Sequence, residues 1–539
     1  MLNDYHQQDM FSAPMERPPD ANIHHMLWRY VIKQDGTKKA RMVCDGSPRR
    51  GTITLGHTYA NSLMAASERM FWALTAMNQL LAYGADVTNA FAEAPPPVHP
   101  LYMYVDDAYR EWWTEHLGNP PIPPHLTVVQ VKNAIQGHPE SPRLWEKHID
   151  KILRDLGFKP TRHEPCLYRA TINGHMVLFL RQVDDFAIAA NNAATVDQLL
   201  QDINARLRMP IKNIGFLTRF NGVDIEQTRY YVKLHCAKYL TTMLNKHGWL
   251  TPNINISPQT YPSTPFHTDK NTMRILQDCQ PSTTPEEELE LQTRIGFSYC
   301  QLMGEIMYPM VKCRPDISPH AILLSQYMDN PGETHYNALK DVAKFLANTI
   351  QDGIHYWRPA SHPDLPDVPL PTTQPDNYQL RETRGYNSLA LIGYVDSDWA
   401  ANIKKRTSLT GAVIMLAGGV IGYKTKFQTV IAHSTTEAEF VAACDTAKMI
   451  LFCSLLQDLG VNQEASTILF EDNSGALLMA NAQQPTRQTC HMDIKHFALL
   501  DWVEQDLLQL YHISTHDNAA DAMTKAVVDV QEAGPHIRQ

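Results

Sequence analysis

His175-Met-Val-Leu-Phe-Leu-Arg-Gln-Val-Asp-Asp-Phe-Ala-Ile-Ala-Ala190 is the stretch around which the rest of the chain is best interpreted. Two adjacent acids, Asp184 and Asp185, separate two short apolar runs. Both runs contain residues that favour strands, such as Val177 and Ile188. The pattern predicts a β-hairpin with the acids at its bend. Because unpaired buried charge is costly, such a hairpin favours a site for a hard divalent cation such as Mg²⁺. A solvated turn is the alternative for this stretch taken alone.

Length and composition limit the kinds of protein this chain can be. A chain of 539 residues is too long for a single hydrophobic core, so roughly two to four domains are expected. Its 44% hydrophobic and 19% charged residues are typical of a soluble globular protein. No run of about 18 apolar residues occurs, and the N-terminus has no apolar segment. We therefore expect neither a membrane span nor a signal peptide.

Cysteine and charge content give further information on the cellular setting and on nucleic-acid binding. The nine cysteines are scattered without the spacing of a zinc site, which favours a reducing, intracellular setting. The net charge of −10 argues mildly against nucleic-acid binding. Residues 28–50, however, contain seven basic and two acidic residues. This local patch is suited to phosphate groups, and a solvated hairpin surface is the alternative.

The N-terminal half alternates strands and helices. Residues 1–27 are polar and proline-containing and are predicted to be poorly ordered. The elements predicted after them are a hairpin at 28–45, a helix at 60–82, a strand ending at Asp86, a proline-rich loop at 94–100, a helix at 143–157, the hairpin at 175–190 and a helix at 193–207. Residues 291–350 are predicted to be mostly helical.

A proline-rich stretch at 357–387 is predicted to be a linker and is the clearest domain boundary. The order of elements changes beyond it, to β-β-β-α-β-α-β-α, which indicates a mixed α/β domain of about 150 residues. The predicted elements are a strand ending at Asp396, a hairpin around Gly418-Gly419, a strand at 428–433, a helix at 436–458, a strand at 467–471 beside Asp472, a helix, a strand at 509–514 and a terminal helix near 518–528.

A strand-borne acid, a turn and a hairpin-tip acid pair follow one another in a fixed order. They are Asp86, the segment Gln136-Gly137-His138-Pro139-Glu140-Ser141-Pro142, and Asp184-Asp185. This ordered set resembles the polymerase motifs of reverse transcriptases. The sequences around these motifs resemble copia-type retrotransposon polymerases in particular. They are Lys38-Lys39-Ala40-Arg41-Met42-Val43, Asp86-Val87-x-x-Ala90-Phe91, Ser141-Pro142-Arg143-Leu144-Trp145, Val183-Asp184-Asp185 and Arg314-Pro315-Asp316. The chain departs from the family at Gln182, where the family has an aromatic residue.

A second Asp-Asp pair is also a candidate for the metal-binding pair when only the residue types are compared. Tyr104-Val105-Asp106-Asp107 fits the family pattern better than Gln182-Val183-Asp184-Asp185 does. It lies before the Gln-Gly turn, however, and no second apolar strand follows it. We therefore interpret it as a solvated loop and reject it as the metal-binding pair.

The resemblance implies a role for each residue that matches the polymerase motifs. Asp86, Asp184 and Asp185 would hold two metal ions for phosphoryl transfer. Lys33 and Arg41 would bind the triphosphate, and Gln136 with Gly137 would form part of the substrate-binding turn. Phe91 would pack under the nucleotide sugar and exclude a 2′-hydroxyl, with a plain core role as its alternative.

Four acids beyond the linker form a second set. Their surroundings resemble the RNase H domain of the same copia-type polyproteins: Tyr394-Val395-Asp396-Ser397-Asp398-Trp399, Thr436-Glu437-Ala438-Glu439-Phe440, Glu471-Asp472-Asn473-Ser474 and Ala520-Asp521-x-x-Thr524-Lys525. The resemblance implies that Asp396, Glu439, Asp472 and Asp521 bind two further metal ions and cleave RNA. Asp398 and Glu437 are the nearest rivals for the metal. Thr436-x-x-Glu439 and Ser434-x-x-Glu437 are both capping-box patterns, so a capping role is the alternative for Glu439. The resemblance favours Glu439, because the catalytic acid of the family directly precedes an aromatic-apolar pair, matched here by Phe440-Val441.

The resemblance implies a multi-domain α/β and α+β protein with a right-hand polymerase and an RNase H-like domain. The expected parts are a poorly ordered segment at 1–27, fingers and palm at 28–250, a helical thumb or connection at 251–356, the linker at 357–387, the RNase H-like domain at 388–530 and a tail at 531–539. No capsid-like, zinc-knuckle, protease or integrase segment is visible. We therefore expect a piece of a polyprotein, or a decayed or domesticated remnant that binds nucleic acid without turnover.

The expected activity is RNA-directed DNA polymerisation with RNase H cleavage. The implied cofactor is Mg²⁺, two ions per site, with Mn²⁺ as a substitute. The implied partners are an RNA template, a DNA primer, an RNA–DNA hybrid and deoxynucleotides. The implied location is a retrotransposon particle in the cytoplasm, with the nucleus as the alternative.

Overall fold

The computed structural model describes residues 2–32, 36, 38–47, 58–250, 262, 264–266, 268–365, 389–481 and 498–525. Its strands in chain order are β1 (Asn22–His24), β2 (Met26–Ile32), β3 (Lys38–Cys44), β4 (Leu81–Val87), β5 (Leu101–Tyr104), β6 (Val128–Val131), β7 (Lys159–Pro160), β8 (Leu167–Ile172), β9 (His175–Gln182), β10 (Asp185–Ala190), β11 (Ile211–Phe216), β12 (Arg219–Phe220), β13 (Val223–Gln227), β14 (Tyr231–His235), β15 (Gly353–Trp357), β16 (Ile392–Asp398), β17 (Leu409–Leu416), β18 (Gly419–Phe427), β19 (Thr467–Glu471) and β20 (Leu508–His512).

Its helices in chain order are α1 (Leu2–Gln7), α2 (Ala65–Met77), α3 (Ala90–Glu93), α4 (Asp107–Glu115), α5 (Ser141–Asp155), α6 (Ala193–Asn204), α7 (Ala237–Lys246), α8 (Lys270–Asp278), α9 (Pro285–Ile295), α10 (Tyr299–Lys312), α11 (Ser318–Ser325), α12 (Glu333–Asn348), α13 (Thr435–Thr446), α14 (Ile450–Asp458), α15 (Ser474–Ala480) and α16 (Ala498–Glu504). None of these helices has the length and apolar character needed to cross a membrane.

The chain divides into two compact units. The first contains Met1–Leu63 and Leu81–Leu217, and the second contains Met64–Leu80 and Thr218–Gln539. The predicted boundary at residue 250 differs from this division, because β12–β14 and α7 belong to the second unit.

The first unit is built on an antiparallel sheet in the order β11-β4-β10-β9-β8-β7. The predicted hairpin at 175–190 is confirmed, since β9 and β10 pair with Gln182 opposite Asp185. The other neighbour of β10 is β4, which carries Asp86. The central strands therefore bring the predicted acids to one end of the sheet.

Helices α5 and α6 pack with this sheet in one core. The buried residues of α5 include Trp145, Ile149 and Leu153, whose spacing of four places them on one helix face. Gly157 follows with a φ of 87°, a left-handed conformation that glycine adopts at helix ends at little cost. The core continues through Phe179 of β9. This packing fixes the hairpin against α5.

The N-terminal segment differs from the expectation of a poorly ordered stretch. Leu2, Tyr5 and Met10 are buried in a core that also contains Met103 and Trp112. Strand β1 pairs in parallel with β5, which in turn pairs with β6. The prolines and polar residues of this segment predict disorder. The contacts that order it are with residues far along the chain, which a local prediction does not take into account.

The rejected acid pair is not in a solvated loop, and that interpretation is wrong. Tyr104 is the last residue of β5, and Asp106 caps α4 by accepting a hydrogen bond from the Tyr109 backbone N–H at 2.8 Å. The other carboxylate oxygen of Asp106 accepts from Trp28 Nε1 at 2.8 Å. Both oxygens of Asp106 therefore have a structural role.

The second unit contains the antiparallel sheet β12-β13-β14-β15 and helices α7–α12. The predicted helical region at 291–350 is confirmed by α10, α11 and α12. The predicted linker, however, begins too early. Trp357 ends β15, and the buried Arg358 guanidinium donates to the carbonyl oxygens of Thr228 and Leu80. Residues 366–388 of that stretch lie outside the described residues.

The C-terminal part of the second unit is the predicted mixed α/β domain. Its sheet has the order β18-β17-β16-β19-β20, in which the first three strands are antiparallel and the pairs β16–β19 and β19–β20 are parallel. Helix α13 packs on β16 and β17. This arrangement confirms the mixed α/β fold class that the element order indicated.

Three local predictions for this domain are wrong. Residues 428–433 form no strand, because β18 already supplies the third antiparallel strand and ends at Phe427. The helix at 436–458 is interrupted by a 3-10 turn at Ala447–Met449. The terminal helix is a short 3-10 helix, Ala519–Met523, and residues 526–539 lie outside the described residues.

Candidate active sites

The tip of the β9–β10 hairpin has a constrained backbone. Val183 has a φ of 57°, a left-handed conformation that is unusual for a β-branched residue. Its carbonyl oxygen accepts a hydrogen bond from Trp145 Nε1 at 2.7 Å. The next carbonyl, that of Asp184, accepts from the Val87 backbone N–H at 3.0 Å. These two bonds hold the tip between α5 and β4.

The three predicted acids of the first unit meet at this tip. Asp185 lies directly opposite Asp86 in the β10–β4 register, and Asp184 precedes it in the chain. Asp185 is open to solvent on one side, but crowding by the protein and the nearby Asp184 and Asp86 carboxylates raise its pKa to about 6. A site with such excess negative charge favours cations.

A pocket of about 600 Å³ opens beside these acids. It brings together five of the residues predicted to act in polymerisation: Arg41, Asp86, Phe91, Gln136 and Asp184. Phe91 lies on α3 and also packs against the hydrophobic core, so it is both a pocket wall and a core side chain. Asp185 does not line the pocket, and Lys33 lies outside the described residues.

Several residues of the pocket wall were not predicted. They are Leu2, Asn3, Asp4 and Tyr5 from the N-terminal segment, together with Trp28, Lys38, Asn89 and Trp112. Lys38 adds a second described cation to Arg41, and it belongs to the basic patch that the sequence shows at 28–50. The N-terminal residues have no sequence pattern that predicts a place in the pocket wall, because they reach it only in the folded chain.

The Gln136-Gly137 turn packs against the end of β3. The Gln136 carbonyl oxygen accepts from the Cys44 backbone N–H at 2.7 Å. Gly137 has a φ of 94°, and a Cβ atom there would lie 2.2 Å from the Cys44 carbonyl oxygen. Only glycine fits this close approach. The turn therefore positions Gln136 in the pocket wall.

The second set of acids converges more closely. Ligand atoms of Asp396, Glu439 and Asp472 all lie within 4.8 Å of one another. In the part of the chain that the structure describes, no other group of three or more potential metal ligands converges to this extent. Asp86, Asp184 and Asp185 are therefore brought to one end of a sheet but not to such short mutual distances.

Strand topology explains why these three acids meet. Strands β16 and β19 run in parallel with Tyr394 opposite Phe470, so Asp396 and Asp472 each follow two residues after a paired position. The carboxyl ends of neighbouring parallel strands lie at one edge of a sheet. Helix α13 packs over β16 and brings Glu439 to the same edge.

The structure distinguishes Glu439 from Glu437. The Ser434 hydroxyl accepts from the Glu437 backbone N–H at 3.2 Å, and Glu437 Oε2 accepts from the His433 backbone N–H at 2.8 Å. Both the backbone and the carboxylate of Glu437 are therefore engaged at the start of the helix. Glu439 points to the acid cluster, and burial followed by the nearby Asp396 and Glu471 carboxylates raises its pKa.

The predicted fourth acid, Asp521, is not part of the triad. It lies on the 3-10 helix at Ala519–Met523, where its Oδ1 accepts from Lys525 Nζ at 2.8 Å. Lys525 Nζ also lies 3.6 Å from Asp396 Oδ1, so this lysine links Asp521 to the triad. The rival Asp398 is the last residue of β16 and is also outside the triad.

Two neighbours of the triad were not predicted as site residues. Glu471 is fully buried at the end of β19, and burial raises its pKa. Thr524 is buried, and its hydroxyl donates to Asp396 Oδ2. Thr524 and Lys525 belong to the Ala520-Asp521-x-x-Thr524-Lys525 segment quoted above, so a signal for them was present.

The chemistry of the triad fits a divalent metal ion. Its donors are all carboxylates, the ligands that Mg²⁺ prefers. The Glu439 Oε2 atom is buried and has no hydrogen-bond partner among the described residues. Burial raises the pKa of Asp396, an effect that the Lys525 ammonium opposes. Such a cluster is costly without a cation.

Comparison with known proteins gives one family match and several relatives. Residues 9–261 match the family model "Reverse transcriptase (RNA-dependent DNA polymerase)". The retrovirus-related Pol polyprotein from transposon TNT 1-94 of Nicotiana tabacum is 26% identical over 510 residues, which cover 93% of this chain and 34% of that protein. The corresponding polyprotein from transposon RE1 of Arabidopsis thaliana is 26% identical over 532 residues, which cover 96% of this chain and 32% of that protein.

The chain thus spans about a third of the length of these curated relatives. Among solved structures, the foamy viral protease-reverse transcriptase in complex with double-stranded DNA is 14% identical, with a TM-score of 0.44, and the match covers 95% of this chain and 68% of that chain. Residues 9–261 thus match the reverse transcriptase family, and more than nine tenths of the chain is similar to the Pol polyproteins of copia-type retrotransposons.

Proposed function

We propose that this chain copies RNA into DNA at the first acid set and cleaves the RNA strand of a hybrid at the second. The observation that carries the polymerase part is the strand register that sets Asp185 opposite Asp86. Asp86 and Asp184 share one pocket with Arg41 and Phe91, so acids, a cation and an aromatic wall surround a space of nucleotide size.

In the polymerase site, Asp86 and Asp184 are the metal ligands and Asp185 supports them. Mg²⁺ ions bound there supply activation of the primer 3′-hydroxyl and neutralisation of the leaving pyrophosphate. The Arg41 guanidinium, a rigid fork of donors, binds triphosphate oxygens, and Lys38 adds positive charge beside it. Phe91 bounds the space for the sugar and excludes a 2′-hydroxyl.

In the RNase H site, Asp396, Glu439 and Asp472 are the metal ligands. Bound Mg²⁺ supplies a hydroxide nucleophile at neutral pH. The residues themselves orient the ligand oxygens: Thr524 donates to Asp396, and Thr515 Oγ1 donates to Asp472 Oδ2 at 2.8 Å. Glu439 Oε2 has no hydrogen-bond partner among the described residues and is available to a cation.

The proposed partners follow from the proposed reactions. They are an RNA template, a DNA primer, an RNA–DNA hybrid and deoxynucleotides, with Mg²⁺ as cofactor. The proposed location is a retrotransposon particle in the cytoplasm. Support comes from the polyprotein relatives and from Lys38 and Arg41, the two residues of the basic patch that line the pocket.

Primer extension tests the proposal. A DNA primer annealed to an RNA template is incubated with deoxynucleotides and Mg²⁺, and product length is measured for the wild-type chain and for Arg41→Ala. We expect extension by the wild type and a raised KM for deoxynucleotides in the variant. Binding of the primer–template without any extension would instead support a non-catalytic remnant, to which the departure at Gln182 points.

A further inference from the structure

Lys525 stands within the acid cluster of the RNase H-like domain. Its Nζ atom lies 2.8 Å from Asp521 Oδ1 and 3.6 Å from Asp396 Oδ1. Asp396 is almost completely buried, whereas Lys525 is about half exposed. Among the described residues, Lys525 is the one basic side chain that pairs with any of the four predicted acids. It therefore supplies the positive charge of this cluster.

The backbone around Lys525 is docked on the sheet. Buried Asn518 donates from Nδ2 to the Val395 carbonyl oxygen at 2.8 Å, and the Lys525 backbone N–H donates to the Asp521 carbonyl oxygen at 2.9 Å. Thr524 donates to Asp396. The segment 518–525 thus begins and ends with contacts to β16.

A glycine on the neighbouring strand permits this docking. Gly411 pairs with Asp396 in the β16–β17 register. A Cβ atom at 411 would lie 2.7 Å from Thr524 Cγ2 and 2.9 Å from the Ala520 carbonyl oxygen. A larger residue would push the segment away. The position of Lys525 is therefore built into the fold rather than being that of a freely moving surface lysine.

We propose that Lys525 is a tethered counter-ion of the RNase H site: its ammonium neutralises Asp396 and Asp521 in the metal-free protein and opposes the binding of Mg²⁺ there. This inference rests on the proposed RNase H function and adds a residue that sets the metal affinity. Three converging carboxylates repel one another, and a nearby ammonium relieves that repulsion. The same charge repels an incoming divalent ion.

The half-exposed position of Lys525 suits this role. The side chain can leave toward solvent when a metal ion takes over neutralisation, because it is flexible and its ammonium is readily hydrated. Loss of its charge should therefore have two opposite effects. The metal-free domain becomes less stable, and the metal-bound state becomes easier to reach. A purely structural lysine would show only the first effect.

The test measures Mg²⁺ binding by calorimetry and the Tm in EDTA, using the full chain in an Asp184→Asn background that weakens the polymerase metal site. Lys525→Gln removes the charge, and Lys525→Arg keeps it. Lys448→Gln is the matched control, because Lys448 is an exposed lysine of the same domain that pairs with Asp445 at 3.2 Å. Asp396→Asn identifies the part of the Mg²⁺ binding that belongs to this site.

We expect Lys525→Gln to lower the Kd for Mg²⁺ roughly tenfold, as removal of one nearby positive charge from a partly exposed site should. Its Tm in EDTA should fall and should recover with Mg²⁺. Lys525→Arg and Lys448→Gln should bind Mg²⁺ like the wild type. An unchanged or weakened affinity for Mg²⁺ in a folded Lys525→Gln protein would overturn this inference but not the proposed RNase H function. If Mg²⁺ binding did not depend on Asp396, both the inference and the proposed RNase H site would be wrong.

Discussion

Two glutamates, two residues apart on α13, have different partners. Residues at this spacing point to different sides of a helix. Glu437 bonds to Ser434 and His433 at the helix start, and Glu439 joins Asp396 and Asp472. The sequence placed both at the helix start and favoured Glu439 because an aromatic-apolar pair follows it. The fold supports the choice of Glu439, because the Glu437 carboxylate is hydrogen-bonded at the helix start and the Glu439 carboxylate lies beside the other acids.

We predict that Glu439→Gln removes hybrid cleavage by weakening metal binding, whereas Glu437→Gln keeps it. The second change should cost only the capping and helix-dipole contribution, about 0.5–1 kcal/mol of stability. Cleavage of an RNA–DNA hybrid is measured against Mg²⁺ concentration for both full-length variants. If Glu437→Gln were the inactive one, the site would have to be redrawn around Glu437.

Phe91 lies in the pocket wall and also touches the core, so both of its expected roles remain open. We predict that Phe91→Ala admits ribonucleotides, because removal of the ring makes space for a 2′-hydroxyl. Discrimination of this kind is worth about 1–3 kcal/mol. The measurement is the ratio of kcat/KM for deoxy- and ribonucleotide. Unchanged selectivity in a folded variant would leave Phe91 as a core residue.

At the scale of elements, predictions succeeded where the signal was local. The hairpin at 175–190 and helix α5 follow from alternating and helical spacing of apolar residues, and both are present. The interruption of the long helix at Ala447–Met449 was missed, because those residues have ordinary helix propensities. The order of N-terminal residues 2–27 was missed because it depends on distant partners such as Val131.

The two candidate sites also combine features that are visible in the local sequence with features that depend on distant contacts. Each acid was found from its local surroundings, but their convergence depends on strand pairing and helix packing. Asp521 therefore seemed equivalent to the other three acids, although in the fold it pairs with Lys525 instead of joining the triad. Lys525 and Trp145 stand in segments that resemble the family, but their roles could not be assigned from the sequence, since each contacts a residue far away in the chain.

Trp145 links helix α5 to the hairpin tip, which yields a prediction at this scale. Its indole holds the Val183 carbonyl while Val183 has a φ of 57°. A left-handed β-branched residue is strained and needs such support. We predict that Trp145→Phe slows primer extension and costs about 1 kcal/mol of stability for the lost hydrogen bond, with a further loss for the space that the smaller ring leaves in the core.

The matched control for this change is Trp113→Phe. Trp113 also donates its indole N–H to a backbone carbonyl, that of Pro120 at 3.2 Å, and it does not line the pocket. Single-nucleotide extension rates and thermal unfolding are compared for the two variants. Equal extension rates in both would show that the indole bond does not position the acids.

At the scale of the whole molecule, the chain carries two sets of acids in two separate compact units. Asp86, Asp184 and Asp185 belong to the first unit, and Asp396, Glu439 and Asp472 belong to the second. The two proposed activities should therefore be separable by single substitutions. This separation is the central claim of the account, because it follows from the fold and not from the family alone.

The most direct test measures primer extension and hybrid cleavage side by side for wild type, Asp184→Asn and Asp106→Asn. Asp184→Asn should reduce extension on the order of 100-fold or more and leave cleavage unchanged, since it removes charge only from the polymerase site. Asp106→Asn should extend close to normally, because the asparagine oxygen can still cap α4 and only the hydrogen bond from Trp28 Nε1 is lost. Loss of both activities in a folded Asp184→Asn protein, or loss of extension in Asp106→Asn with Asp184→Asn active, would contradict the two-site account.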